Sequence, residues 1–68
     1  MSLKSAILFL IKSQGEASFD ELYALAEEMS RKPDNLTRRC RELTNEGLIK
    51  PRMSENRDGI KYISAYYA

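Results

Sequence analysis

The first fifteen residues, MSLKSAILFLIKSQG, carry apolar side chains at helical spacing. This pattern predicts a helix over about residues 2–14, and Gly15 is a suitable residue for ending it. At about 100° per residue, Phe9 lies nearly opposite Ile7 and Leu8 lies at the flank. We therefore expect the Phe9 ring to point outward, either as a single exposed hydrophobe or as a dimer contact. The core-facing positions are Leu3, Ile7, Leu10 and Ile11.

A second helix is predicted over about residues 19–29. Ser18 and Glu21 form the S-x-x-E pattern of a capping box, in which each side chain bonds the backbone amide of the other residue. No glycine or proline interrupts the segment. The preceding link, GEAS, is too short for a long loop and is able to pair as a minimal strand with a later segment. The expected buried stripe consists of Phe19, Leu22, Leu25 or Ala26, and Met29.

A third helix is predicted over about residues 33–46. Pro33 suits its first position, where the missing N–H has no helical partner in any case, and Gly47 suits its end. Three apolar residues recur at i, i+4 and i+7 and form a narrow seam that we expect to face the core. The seam consists of Leu36, Cys40 and Leu43.

Polar side chains occupy the face of the third helix opposite this seam. With about 100° per residue they lie within roughly 50° of the direction pointing away from Leu36. Arginine pairs bidentately with guanine, asparagine pairs with adenine, and threonine contacts the thymine methyl, so this chemistry is typical of a helix that reads a DNA groove. The alternative is a solvated charged face, and Arg39 is expected to pair with Glu42 or bind phosphate. The outward residues are Asp34, Arg38, Arg41 and Asn45, with Thr37 at the edge.

Two β-favouring segments, LIKPRM and GIKYISAYY, follow Gly47 and are joined by SENRDG. The Asp58-Gly59 pair indicates a hairpin over about residues 48–67. Leu48 and Ile49 are expected to anchor the hairpin to the helices, and Pro51 belongs on an edge. Glu55 and Asp58 partly cancel its positive charge. We expect a basic finger that follows phosphates or enters a minor groove, with contacts from Arg52, Asn56, Arg57 and Lys61.

Composition narrows the possible functions. The 68 residues have a net charge of +1, but residues 1–30 hold two basic and five acidic side chains, whereas residues 31–68 hold nine basic and five acidic ones. The second half is therefore the expected contact half. With one cysteine and no histidine, the chain lacks a zinc ligand set and the usual general base, so we expect no enzyme activity, no metal and no cofactor. Cys40 is expected to be a core residue.

The longest apolar run, Ala6 to Ile11, is far shorter than the roughly 20 residues that a membrane span needs. We therefore expect no membrane association and a cytoplasmic location, close to the nucleoid. A domain this small has little volume for a ligand pocket, so we expect no small-molecule ligand.

The order and spacing of these elements resemble the winged helix-turn-helix family of DNA-binding regulators. The match runs without gaps through ELYALAEEMSRKPDNLTRRCRELTNEGLIKPRM, and RDGIKYIS resembles the family's second wing strand. The resemblance implies one domain over residues 1–68 of mainly α class, a three-helix bundle with a C-terminal β-hairpin wing. It also implies that the third helix enters the major groove, with base or phosphate contacts from Asn35, Thr37, Arg38 and Arg41.

Some positions depart from the family pattern. Ser30, Arg31 and Lys32 stand where the family has glycine, an apolar residue and a capping Ser or Thr. We expect Ser30 or Asp34 to bond the free amides of a rebuilt turn. The branch that binds left-handed DNA uses a wing tryptophan, which this chain lacks, so that activity is not expected.

Two functions from different classes follow. The first is a small sequence-specific transcriptional regulator of phage, viral or prokaryotic type that binds double-stranded DNA as a homodimer. The second is a protein-interaction module within a replication or transcription assembly, because one fold supports both. The expected dimer contacts are Leu8, Phe9, Tyr66 and Tyr67. For the two tyrosines, the alternative is that they close the core against the first helix.

Overall fold

Three helices and a three-stranded antiparallel sheet make up the described part of the chain. The computed structural model describes residues 2–29 and 33–68, and the backbone alone at residues 33 and 34. No helix in these ranges is both long and apolar enough to cross a lipid bilayer. The elements in chain order are α1 (Leu3–Gln14), β1 (Glu16–Ser18), α2 (Phe19–Glu28), α3 (Pro33–Asn45), β2 (Lys50–Glu55) and β3 (Lys61–Tyr67).

Serine side chains cap the first two helices. The Ser2 Oγ accepts a hydrogen bond from the Ser5 amide at 3.1 Å, and the Ser18 Oγ accepts one from the Glu21 amide at 3.2 Å. Each bond satisfies an amide that has no partner within its helix. At the other end of α1, Gly15 has φ 83° and donates to the Ile11 carbonyl at 2.7 Å, so the chain reverses immediately into β1.

The helices and the sheet share one apolar core. The seam of α3 lies at its centre as expected, because Leu36 and Cys40 are 0% exposed and Leu43 is 1% exposed. Phe19, Leu25 and Met29 are only partly buried against the core. Because the seam is buried, the opposite face of α3 is directed away from the protein. The other buried core residues are Leu3, Ile7, Ile11, Ala17, Leu22, Ala26, Ile49 and Tyr66.

The expected fold class, a mainly α three-helix bundle with a C-terminal β-hairpin wing, is wrong. The sheet has three strands in the order β1-β3-β2, so the C-terminal hairpin is part of a larger sheet. β1 pairs antiparallel with β3, with Ala17 opposite Tyr66 and fully buried. The chain is therefore an α+β structure. The minimal strand that the sequence allowed for GEAS is β1.

A register shift separates the two ends of the hairpin. Arg52 lies opposite Ala65, but Met53 lies opposite Ile63, which leaves Ser64 without a partner on β2. An extra residue in one strand changes which side chains share a face. Ile63 consequently lies on the same face as Tyr66, three residues later, and not on the opposite face.

The start of the hairpin differs from the expectation for one residue. Ile49 is buried as expected, whereas Leu48 is 41% exposed and does not anchor the hairpin. The Leu48 amide instead donates to the Leu43 carbonyl at 3.1 Å, which completes the end of α3. The geometry of this helix end turns the Leu48 side chain outward.

Candidate nucleic-acid interface

The outward face of α3 presents two arginines to solvent. Arg38 and Arg41 are exposed, as are Thr37 and Asn45. Among the side chains that the structure describes, neither arginine forms an ion pair. The side chain of Asp34, which was expected on this face, lies outside the described residues, as do Ser30, Arg31 and Lys32.

Arg39 differs from its two neighbours. Its Nε lies 3.2 Å from a carboxylate oxygen of Glu42, one turn further along α3, as expected for an ion pair. The same nitrogen is shielded from solvent and has no partner with hydrogen-bond geometry, so the contact is electrostatic. Arg39 is therefore partly neutralised, and the charge available on α3 belongs to Arg38 and Arg41.

A cleft of about 140 Å³ separates α3 from the hairpin. Three of the expected contact residues, Thr37, Arg41 and Asn45, line the cleft on the α3 side, opposite the sheet. Thr44 also lines it, although its hydroxyl donates to the Cys40 carbonyl at 2.8 Å. The sheet contributes Pro51, Ile63 and Tyr66.

Tyr66 forms the base of this cleft and belongs to the core. Tyr66 is 4% exposed, so it closes the core, as in the alternative to a dimer contact. This leaves too little of its surface for the expected dimer contact. Burial is the main reason why the pKa of its hydroxyl is raised; Cys40 raises it further, and the charge of Arg41 lowers it. The Arg41 guanidinium is therefore close enough to influence the tyrosine.

Asn35 lies on the other flank of α3. It lines a separate cleft of about 340 Å³ with Arg39 and with Ser2, Leu3 and Lys4 at the start of α1. Lys4 forms an ion pair with Glu46 at 2.9 Å. Asn35 is thus separated from the cleft that holds Thr37, Arg41 and Asn45.

The base of the hairpin is less basic than expected. The Nε of Arg52 pairs with the carboxylate of Glu16 on β1, and its guanidinium carbon lies 5.1 Å from the centre of the Tyr67 ring. A cation held by a carboxylate and an aromatic face has less attraction left for a phosphate. The expected contact of Arg52 with DNA is therefore weakened by Glu16 and Tyr67. The sequence analysis did not predict that either residue lies beside Arg52.

The tip of the hairpin is built around Asn56. Its side-chain oxygen accepts hydrogen bonds from the amides of Asp58 at 2.9 Å and Ile60 at 3.0 Å. This oxygen holds the turn, so it is not available to read a base. Arg57 and Lys61 are exposed as expected, but Glu55 lies directly opposite Lys61 in the sheet.

Large apolar side chains on the hairpin are the feature that the sequence analysis missed. Four of them are exposed: Met53 by 53%, Ile60 by 60%, Tyr62 by 48% and Ile63 by 36%. Their types were visible as strand-forming residues, but strand propensity does not tell whether a face is covered. The available signal was that the hairpin segments hold more large apolar residues than the small helical part of the chain is able to cover.

A second apolar area lies on α1. Phe9 is 66% exposed, as expected from its position opposite Ile7. Together with the partly buried Leu8 it lines a shallow depression of about 400 Å³, bordered by Ser5, Lys12 and Ser13. Tyr67 is partly buried beneath Arg52 and pairs with Glu16 across the sheet.

The chain matches no family model, no curated protein and no solved structure. The resemblance to the winged helix-turn-helix family therefore stays a prediction from the sequence. Across the side chains described, no three His, Cys, Asp or Glu residues lie close enough to hold a metal ion. The outward face of α3 thus carries two exposed guanidinium groups and short polar side chains, beside a hairpin with exposed apolar side chains.

Proposed function

We propose that this protein binds double-stranded DNA through the outward face of α3 and acts as a small transcriptional regulator. The observation that carries the proposal is the placement of Arg38 and Arg41 in solvent, opposite a seam that is 0–1% exposed. Guanidinium groups on a rigid helix are positioned for bidentate contact with guanine O6 and N7.

The dimensions of α3 suit the major groove. A helix with its side chains is about 10–12 Å across, and the major groove of B-DNA is about 12 Å wide. Thr37 and Asn45 flank the arginines on the same exposed face, and both have short side chains that contact thymine or adenine. The hairpin stands across the cleft from these residues, so a duplex seated on α3 also meets the sheet.

A salt series tests the proposal. The preferred duplex is first selected from a random-sequence pool, and affinity is then measured for that duplex and for a random one at several salt concentrations. We expect the logarithm of the affinity to fall linearly with the logarithm of the salt concentration, because bound phosphates release counterions. A slope near zero for both duplexes would refute DNA binding.

Arginine variants assign the contact to α3. We expect Arg38→Ala to weaken binding to the selected duplex by about 1–3 kcal/mol and to relax the base preference at one position. Lys12→Ala removes the same charge from α1 and is the matched control, with little expected effect. Equal losses on selected and random DNA would show that Arg38 contacts phosphate and reads no base.

A protein-interaction module is the second candidate function. The exposed apolar side chains of the hairpin favour it, because apolar surface is typical of protein contacts. The salt series separates the two candidates, since an apolar protein contact depends little on salt whereas phosphate contact depends on it steeply.

A further inference from the structure

One edge of β3 is only partly covered by β1. On its other side β3 has β2 along its whole length, but β1 pairs only with residues 65–67. Within residues 2–29 and 33–68, no strand continues β1 beside residues 61–64, because the chain turns into α2 at Phe19. An uncovered strand edge presents backbone N–H and C=O groups that are able to pair with another strand.

The uncovered part of β3 has the length of a short peptide. Residues 61–64 span about 13 Å at about 3.3 Å per residue. They include no proline, whereas the outer edge of β2 holds Pro51, which has no N–H to donate to a neighbouring strand. Residues 61–64 are therefore better suited than β2 to receive an added strand.

A cleft of about 350 Å³ lies beside this edge. The Phe19 ring in its wall is held in place, because it packs partly against the core and lies 5.8 Å from the Tyr23 ring, centre to centre. The Tyr62 side chain is 48% exposed, so the cleft has aromatic surface from α2 and from β3. The lining residues are Phe19, Asp20, Tyr62, Ile63 and Ser64.

The cleft also carries a negative charge. Asp20 is exposed, and none of the ion pairs between described side chains involves its carboxylate. Neither α2 nor the lining of the cleft contains a lysine or an arginine. A carboxylate beside aromatic rings suits a lysine or arginine side chain, whose charge meets the carboxylate while its stem and its cation contact the rings.

We propose that an extended, basic segment of a partner protein adds to the open edge of β3 and places a lysine or arginine against Asp20, Phe19 and Tyr62. Backbone hydrogen bonds to residues 61–64 supply affinity, and the cleft selects the side chain. The site shares no residue with the outward face of α3. The inference therefore goes beyond the proposed function and does not require DNA binding.

A displayed library of random heptapeptides is the probe, and the selected peptides are then synthesised and titrated by fluorescence anisotropy. We expect the selected peptides to combine β-branched residues with a lysine or arginine, and to shift the backbone amide resonances of residues 61–64. Only alternate amides of an added strand face its neighbour. N-methylation of one alternating set should therefore weaken binding by about tenfold or more, whereas N-methylation of the other set should have little effect.

Variants of α2 test the contact with the cleft. Asp20→Asn keeps the side-chain shape and removes the charge, so we expect it to weaken peptide binding by about twofold to fivefold. Glu27→Gln removes the same charge from an exposed position of α2 outside the cleft and is the matched control, with wild-type affinity. Thermal melts establish that both variants fold. Arg38→Ala should bind the peptide like the wild type.

Four results would overturn the inference. Failure of the library to yield a binding peptide, or selection of peptides without a basic residue, would show that the edge and cleft hold no such segment. Equal effects of the two N-methylated sets would exclude strand pairing. Equal affinities of Asp20→Asn and Glu27→Gln would exclude the contact with Asp20. Loss of peptide binding in Arg38→Ala would place the peptide on α3, and in none of these cases does the salt series on DNA change its outcome.

Discussion

The outward placement of Arg38 and Arg41 depends on the seam of α3 facing the core, and the reactivity of Cys40, a seam residue, tests whether it does. Cys40 is the only cysteine in the chain and is 0% exposed. Burial raises the pKa of its thiol from 9.0 to about 12. Three pKa units correspond to about a thousandfold less thiolate at neutral pH, and thiolate is the reactive form. Labelling by a thiol reagent should therefore require the core to open.

Leu36→Ala is the perturbation that tests this expectation. Leu36 is fully buried and lies one helical turn before Cys40 on the same seam. Truncating a buried leucine costs about 2–5 kcal/mol, and a domain of 68 residues has only about 3–10 kcal/mol of stability in total. If the core opens and closes rapidly compared with the thiol reaction, a loss of at least about 2 kcal/mol in the free energy of unfolding accelerates labelling by about 30-fold or more.

The assay is the rate of reaction of native protein with a disulfide reagent that releases a coloured thiol. Thr37→Ala is the matched control, because Thr37 lies beside Leu36 but is exposed. A surface change of this kind alters stability by about 0.5 kcal/mol or less, so the rate should change by less than about threefold. Wild-type labelling as fast as that of an unfolded peptide, or equal acceleration by both variants, would refute the burial of the seam.

The pH dependence of unfolding adds an independent check. In the unfolded chain the Cys40 thiol ionises at its ordinary pKa of 9.0, whereas in the folded chain burial raises this pKa to about 12. Because the folded-state pKa is the higher one, the stability contributed by neutral Cys40 is fully present below about pH 9.0 and is lost as the pH rises through about 12. Cys40→Ala should lack this alkaline loss.

Two further predictions concern the hairpin turn and the first helix. Asn56→Ala removes the acceptor of two backbone amides and should cost about 1–2 kcal/mol in thermal unfolding, whereas Asn56→Asp keeps the acceptor and should cost less; equal melting of the two variants would contradict the role of this oxygen. We propose a homodimer through Leu8 and Phe9, so the wild type should sediment as a dimer at high micromolar concentration and Phe9→Ser as a monomer. Arg57→Ala at the exposed hairpin tip lies away from this depression and should leave the dimer unchanged. A monomeric wild type would remove the dimer from the proposal.

The helices could be read from the sequence because their signals are local. Ser18 and Glu21 lie three residues apart and cap α2 through a direct hydrogen bond. The seam of α3 repeats with the helical period, so its burial follows from Leu36, Cys40 and Leu43 alone. In each case the interacting groups lie within two turns of one another.

The sheet could not be read in the same way. β1 has three residues, too few for an alternating pattern, and its pairing with Tyr67 spans most of the chain. The register shift at Ser64 has no glycine or other local marker, yet it decides that Ile63 faces α3. Both features arise from contacts between distant segments, which strand propensity does not encode.

The strand that was hardest to predict also changes the interpretation of the surface. With a two-stranded hairpin, Arg52 would be free to meet phosphate and the hairpin would be a basic finger. The third strand brings Glu16 across β3 to Arg52, although the two residues are 36 positions apart. Since Glu16 and Tyr67 engage the charge at the base of the hairpin, the basic side chains left near its tip are Arg57 and Lys61. The contributions of α3 and of the hairpin base should therefore separate experimentally: replacing Arg41 with alanine should reduce the salt slope of DNA binding, and Arg52→Ala should change it little.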